Sequence, residues 1–279
     1  MDIDPLADTV PPRHAVESDE EEDEYNPLQP QSSIPKPVDV QLVGDLAPVP
    51  AAGLLVASGA LAKFWARGAN LGEQIAAVMV DKIQVGLLFR PSWTKSVVLI
   101  SEVTTRLPLW AMHPYARAVL DALQPSNVAL LDTYAVSAYI AEERTAYSDA
   151  PLRYLCTDGP GPAFTSSAQP FAPPNLVQAT SAAFLALRAQ RSAAATLVLV
   201  PAPHIAPPAP RVLEPSSFAH LADDPVAWAP ALVRTAHALS FAALAEPGKD
   251  AAWTAPAPEK AHPAAQEQRK RPTEFGMYI

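Results

Sequence analysis

The residues best suited to chemistry in this sequence are six histidines, one cysteine and a few neighbouring carboxylates, and their spacing brings few of them together. The histidines are His14, His113, His204, His220, His237 and His262. No two form a His-x-x-x-His pair or a glutamate-containing zinc motif, so no metal site and no cofactor is expected. His237 falls in an amphipathic stretch and reads as a surface or edge residue rather than a ligand. Cys156 has no histidine or basic cluster beside it to lower its pKa, and reads as a small buried hydrophobe. Ser58 follows the apolar run GLLVA, where a nucleophile elbow would lie. That turn needs glycine at 56 and 60, and the chain has Val56 and Ala60. Ser58 therefore reads as a turn serine that caps the next helix. Glu142 and Glu143 could form an acid–base pair, but a solvated helix face is the commoner use of such a pair. Gly53 and Gly59 flank a strand end without a Gly-x-Gly-x-x-Gly pattern, and no phosphate loop is present. No catalytic residue is assigned, and an enzyme is not expected.

Charge excludes further classes. The 279 residues carry a net charge of -9, and residues 1–40 account for all of it with 11 acids and 2 bases. The remainder is neutral, so a broad basic face for nucleic acid is not expected. The uncharged stretches Leu46–Ala62 and Ser192–Pro210 are interrupted by prolines, and neither reads as a membrane-spanning helix. MDIDPLADTV lacks the apolar core of a signal peptide and the arginines of a transit peptide. One cysteine suits a reducing cytoplasm or nucleus.

The elements that must position any site can be read from hydrophobic patterning. Residues 1–37 are proline, serine and acid, with seven carboxylates among Glu17–Glu24, and predict a disordered acidic tail. Within it Ser18 precedes acids and suits an acid-directed kinase. Residues 38–245 read as one α/β domain. Strands are predicted at Val38–Val43, Gly53–Ser58, Lys82–Phe89, Val97–Thr104, Val128–Tyr134, Leu152–Cys156 and Thr196–Val200. A helix opens at His113-Pro114 and stops at Pro125. Residues 157–174 read as loop. Asn175, with Gln178 three residues on, reads as the cap of a helix whose face carries Leu176, Thr180, Ala183, Phe184 and Leu187. Ser216 or Ser217 could cap a short helix, and Trp228, Leu232, Thr235 and Leu239 mark a last one ending near Leu244. Strands apolar on both faces, alternating with helices, predict a largely parallel or mixed sheet flanked by helices on both faces. Residues 246–279 read as a flexible tether, of which Glu246–Gly276 would span roughly 30 Å as a flexible chain.

The tether finishes in Phe275, Gly276, Met277, Tyr278 and Ile279. Apolar side chains at the end of a polar arm make sense if a partner's pocket takes them. A hydrophobic-Tyr-X ending arises by chance in roughly one chain in a hundred, so it needs support from the body.

That support is a resemblance. Met277-Tyr278-Ile279 looks like the hydrophobic-tyrosine-X tail with which proteasome activators and assembly chaperones dock between α-subunits of the core particle. The stretch PPNLVQATSAAFLALRAQRSAAATLVLVP, Pro173–Pro201, resembles the Pro-Asn-hydrophobic helix and following strand of the proteasome assembly chaperone family, in its first-subunit branch. The preceding NVALLDTY strand, the acidic N-terminal tail and the strand and helix beginning GLLVASGALAKFWA follow the same order. The resemblance is strongest over about 127–201 and looser over 40–126; it departs in long proline-rich insertions. It implies a non-enzymatic α/β chaperone that pairs with a related subunit, proteasome assembly chaperone 2. The pair would sit on the α-ring of the core particle, favour correct ring assembly and keep regulators off. In that reading Met277 fills the apolar mouth of the pocket, Tyr278 packs on its wall, and the Ile279 carboxylate pairs with a pocket lysine. The sister subunit, or an enzyme on a nucleoside-phosphorylase-like scaffold, are the alternatives.

Overall fold

Gly53–Ser58 and Val97–Ser101 are buried at every position, so the sheet that holds them must be covered on both faces. The computed structural model describes residues 37–45, 53–159 except 142 and 144, 161–215, 228–248 and 252–256. The elements in chain order are β1 (Val40–Gly44), β2 (Gly53–Ser58), α1 (Gly59–Gly68), β3 (Gln74–Val80), β4 (Ile83–Phe89), β5 (Val97–Ser101) and α2 (Leu109–Leu123). They continue with β6 (Asn127–Ala135), β7 (Arg153–Cys156), α3 (Pro162–Ser167), β8 (Gln169–Pro170), α4 (Thr180–Gln190), β9 (Ala195–Ala202) and α5 (Pro230–Ala243). Among the described residues the strands form one nine-stranded sheet in the order β1-β3-β4-β5-β2-β6-β9-β7-β8.

The centre of that sheet, β5-β2-β6-β9, is parallel. β1, β3 and β4 extend it antiparallel on one side, and β7 joins β9 antiparallel on the other. α2 and α4 bury Tyr115, Val119, Phe184 and Leu187 on one face. α1 and α5 bury Leu61, Trp65, Val233 and Leu239 on the opposite face. The architecture is the mixed α/β sheet, covered on both sides, that the apolar strands predict. No helix among the described residues is long and apolar enough to cross a membrane.

Local differences from the sequence reading have local causes. β3 is a strand beyond those the patterning predicts; it forms a hairpin with β4 through Asp81 and Lys82, both at positive φ, so Lys82 is a turn residue rather than a strand residue. β5 stops at Ser101 because Glu102 turns into the left-handed region at φ 56°. α2 begins at Leu109, ahead of the expected start, and holds Pro114 in its interior. Residues 157–174 are not all loop, since they contain α3 and β8.

Asn175 does not cap a helix. α4 starts five residues later, and the Asn175 side chain instead brackets the backbone of Ile140. Its Nδ2 donates to the Ile140 carbonyl at 2.8 Å, and its Oδ1 accepts from the Ile140 N–H at 2.8 Å. Leu176, expected on the buried helix face, is 78% exposed. The expected helix at Ser216 or Ser217, the acidic tail with Ser18, and Met277, Tyr278 and Ile279 lie outside the described residues.

The boundary of the body also moves. Composition assigns residues from Glu246 onward to a tether, but Glu246 accepts hydrogen bonds from Thr94, Ser96 and the Lys95 N–H. Trp253 is fully packed, and its indole donates to the Trp65 carbonyl at 2.9 Å. The segment docks where Gly68 ends α1: Thr254 N–H bonds the Gly68 carbonyl at 2.9 Å, and a Cβ at position 68 would collide with Trp253 and Thr254. Proline and charge around a lone tryptophan hide such an anchor from a composition argument.

Candidate functional site

The chain leaves β2 into α1, on one face of the sheet, and leaves β5 into α2, on the other. Divergent exits from neighbouring parallel strands open a crevice at their carboxyl ends, the place where open α/β sheets bind ligands. Strand alternation decides what reaches it. Leu54 and Val56 of β2, Val97 and Leu99 of β5, and Val128 and Leu130 of β6 all face α2 and α4. Two residues further on, the same face carries Ser58, Ser101 and Asp132. Ser58 pairs with Ser101 in register, and the pairing of Ala57 with Leu131 sets Ser58 next to Asp132. Three apolar rows thus end in one polar row, extended by Glu102.

The row is tied to both helices. Ser101 Oγ and Tyr115 Oη lie 3.0 Å apart, and Tyr115 reaches this far because Gly86 of β4 has no Cβ to block its hydroxyl. Asp132 Oδ2 accepts from Ser181 Oγ at 2.6 Å and its Oδ1 from Thr133 N–H at 2.7 Å. Glu102 Oε1 accepts from Leu107 N–H at 2.8 Å, and Thr180, at the start of α4, stands beside it. Burial pushes both carboxyls above the usual carboxylate range; for Glu102 the charge of Asp132 adds to this, while hydrogen bonds and Arg106 oppose it. Burial also raises the Tyr115 phenol. The hydroxyls of Ser58 and Thr105 are buried and make no hydrogen bond. Ser58 does occupy the N-cap position of α1, as expected, but its side chain forms no cap bond.

A raised carboxyl pKa in the folded state gives a signed expectation. The folded protein holds these protons more tightly than the unfolded chain. The stabilisation is therefore present below the unfolded carboxyl pKa and is lost as pH rises through the folded value. Glu102→Gln and Asp132→Asn mimic the protonated acids and retain an oxygen for the Leu107 and Thr133 N–H groups. Each variant is expected to melt above wild type at pH 7, with the gap closing toward pH 4. Melting curves across that range check it; a lower melting temperature at pH 7 would contradict the assignment.

The loops around the crevice expose large apolar side chains. Leu109 and Trp110 open α2, and Ile205 and Val212 lie on the proline-rich segment after β9; all four are exposed. Trp110 Nε1 donates to the Arg211 carbonyl at 3.1 Å and the Arg106 guanidinium to the Pro207 carbonyl, which fixes that segment to the start of α2. Ile140, after β6, and Leu176, before α4, form a second exposed group held by the Asn175 bracket. Two clefts elsewhere, of about 610 and 390 Å³, include neither Glu102 nor Asp132.

Other sequence candidates do not converge here. His237 is not at the surface: it is fully buried in α5, accepts the Trp65 indole N–H on Nδ1 at 3.1 Å, and stacks against Phe241 and Trp93. Cys156 is only partly buried, its thiol pKa raised by burial and Asp158. Glu143 is exposed, and Glu142 lies outside the described residues. Among the described residues no cluster of three or more His, Cys, Asp or Glu could hold a metal ion. Glu102 and Asp132 escaped the sequence reading because thirty residues separate them and each was absorbed into a strand. The available signal was the first acid at the end of each apolar run, VVLISE and VALLD.

No protein-family model matches the sequence, and no curated protein matches it. Solved structures do. PbaB of Pyrococcus furiosus, an archaeal proteasome activator, is similar over 59% of this chain and 81% of its own, at 10% identity and a TM-score of 0.42. PbaA of the same organism, an archaeal homologue of proteasome-assembly chaperone, covers 59% and 77% at 12% identity and 0.42. A proteasome-assembly chaperone homologue of Mycobacterium tuberculosis covers 54% and 75% at 12% identity and 0.34.

Proposed function

We propose that this chain is a non-enzymatic proteasome assembly chaperone subunit of the first-subunit type, working in the cytoplasm. It pairs with proteasome assembly chaperone 2 and binds the α-ring of the core particle, promoting correct ring assembly and blocking early regulator binding. The observation that carries this reading is the exposed apolar rim. Leu109 and Trp110 at the start of α2, with Ile140, Leu176, Ile205 and Val212 on loops, are exposed at the end of the parallel sheet where its strands finish, and such side chains mark a protein-binding surface. The Pro173–Pro201 resemblance and the Met-Tyr-Ile ending point to the same class of protein. The enzyme reading has the Glu102 and Asp132 pair in its favour, and incubation of the purified protein with nucleosides and phosphate tests it.

The test of the proposal is a tagged pull-down with mass spectrometry. Recovery of a related chaperone with α-subunits, but few mature β-subunits, supports it; recovery of neither overturns it. The tail is tested separately. Tyr278→Ala removes a ring worth about 1.5–3 kcal/mol on burial. One glycine appended after Ile279 moves the carboxylate out of register. Each variant is expected to lose at least about tenfold in affinity for α-rings and still pair with the partner. Equal affinities for wild type and both variants would remove the tail from the mechanism.

A further inference from the structure

We infer that the crevice between the two apolar groups receives a basic side chain, arginine or lysine, from the partner protein, with Glu102 and Asp132 as its acceptors. The inference rests on the rim being a partner surface, but not on which protein the partner is.

The first support is an imbalance of hydrogen-bonding types. Glu102 and Asp132 receive bonds only from neutral donors, the Leu107 and Thr133 amides and the Thr180 and Ser181 hydroxyls. Among the described residues neither has a cation at ion-pair distance. Arg106 is the cation that acts on Glu102, and its guanidinium donates to the Pro207 carbonyl. Both residues keep part of their surface open to solvent.

The second support is an orphan hydroxyl. Ser58, 7% exposed, lies between Ser101 and Asp132 on the same face, and its hydroxyl makes no hydrogen bond. A buried hydroxyl without a partner costs stability, and one set in a row of acids is accounted for by a ligand that brings donors. An ammonium offers three N–H donors and no acceptor, and a guanidinium five in a planar fork that fits carboxylates.

The third support is the setting. The apolar groups at Leu109, Trp110, Ile205 and Val212 and at Ile140 and Leu176 would exclude water around the ion pair once a partner covers them. A charge pair desolvated beside apolar contacts is the anatomy of an interface hot spot. The carboxylates stand where they weaken the free protein, as groups kept for binding do.

The test uses the full chain with two probes, acetyl-Leu-Arg-Leu-amide and the same peptide with citrulline, which keeps the shape and removes the charge. Binding is followed by NMR shifts of the Thr180 methyl and the Glu102 and Asp132 carboxyl carbons. The arginine peptide is expected to bind at least tenfold tighter than the citrulline peptide, and Asp132→Asn or Glu102→Gln to erase the difference. Equal binding of the two peptides, or full retention by both variants, overturns the inference. Calcium chloride alone shifting the same carboxyl signals and displacing the peptide also overturns it, in favour of a metal site. A pull-down with Glu102→Gln separates this from the chaperone reading. Wild type that captures the partner while the variant does not supports both. Wild type that captures nothing defeats the chaperone reading and leaves the peptide titration to judge the crevice.

Discussion

Trp253→Ala is expected to lower the stability of the whole body by about 3–5 kcal/mol, the usual cost of removing a buried aromatic. Domains are stable by only about 5–15 kcal/mol, so this loss would leave a protein close to unfolding. Trp253 is 2% exposed, lies with its ring centroid 6.2 Å from that of Phe64, and donates to the Trp65 carbonyl. Trp65 in turn donates to His237, so one tryptophan outside the predicted domain closes a chain of contacts that runs into α5. Trp253→Phe keeps most of the buried ring and loses one hydrogen bond, for which about 1 kcal/mol is expected. Gly68→Ala disturbs the same docking from the other side, because its methyl would occupy the path of residues 253 and 254. Urea unfolding of the three variants checks this. A midpoint for Trp253→Ala equal to wild type would return the segment to the tether where composition put it.

Arg188→Ala is expected to cost about 3 kcal/mol or more. Arg188 is 6% exposed and spends its donors on three backbone carbonyls. Nε and Nη2 donate to Ala194 at 3.2 and 3.0 Å, Nη1 to Pro125 at 3.0 Å and Nη2 to Ser126 at 2.6 Å. Those carbonyls belong to the turns that lead into β6 and β9, so a single side chain sets how two central parallel strands begin. Burial and the charge of Arg191 lower its pKa from the ordinary value. Removing the guanidinium leaves the carbonyls short of donors, and bonds to a charged group contribute about 1.5–3 kcal/mol each, though not additively. Arg188→Lys supplies a point charge that cannot span three acceptors in a plane and is expected to recover less than half of the loss. The same urea series measures it. Hydrogen exchange at Val128 and Ala195 should quicken in both variants, and unchanged exchange would mean that the turns hold without this side chain.

Both predictions concern residues whose roles the sequence conceals. An arginine in a helix next to Gln190 and Arg191 looks like solvated charge, and a tryptophan among alanine and proline looks like part of a tether. The stripe rule that marks Phe184 and Leu187 as buried has no means of marking Arg188, because its cover comes from turns 62 and 63 residues earlier in the chain. His237 is a similar case. Its place in an amphipathic helix is legible, but not the Trp65 and Trp93 rings that surround it.

What the sequence by itself determined is the set of elements that depend on nearest neighbours and on period. GLLVAS has to be a strand covered on both faces because it has no polar alternation to present to water. VVLIS and TLVLV follow the same rule, and the last amphipathic stretch ends at Ala243, close to where its pattern stops. Those strands, alternating with helices, suffice for a sheet covered on both sides. The tertiary structure decided everything that depends on which strands become neighbours. The β5-β2-β6 order brings Ser58, Ser101 and Asp132 level with one another, turns Glu102 into the same crevice, and sets Thr180 and Ser181 over it. It also frees Asn175 from the cap its motif predicts, because the Ile140 backbone, 35 residues away, offers two bonds where a helix end would offer one. Periodicity records the environment of a side chain along its own element, whereas a site is made by register between elements, and register is fixed only when the apolar faces of all of them pack at once.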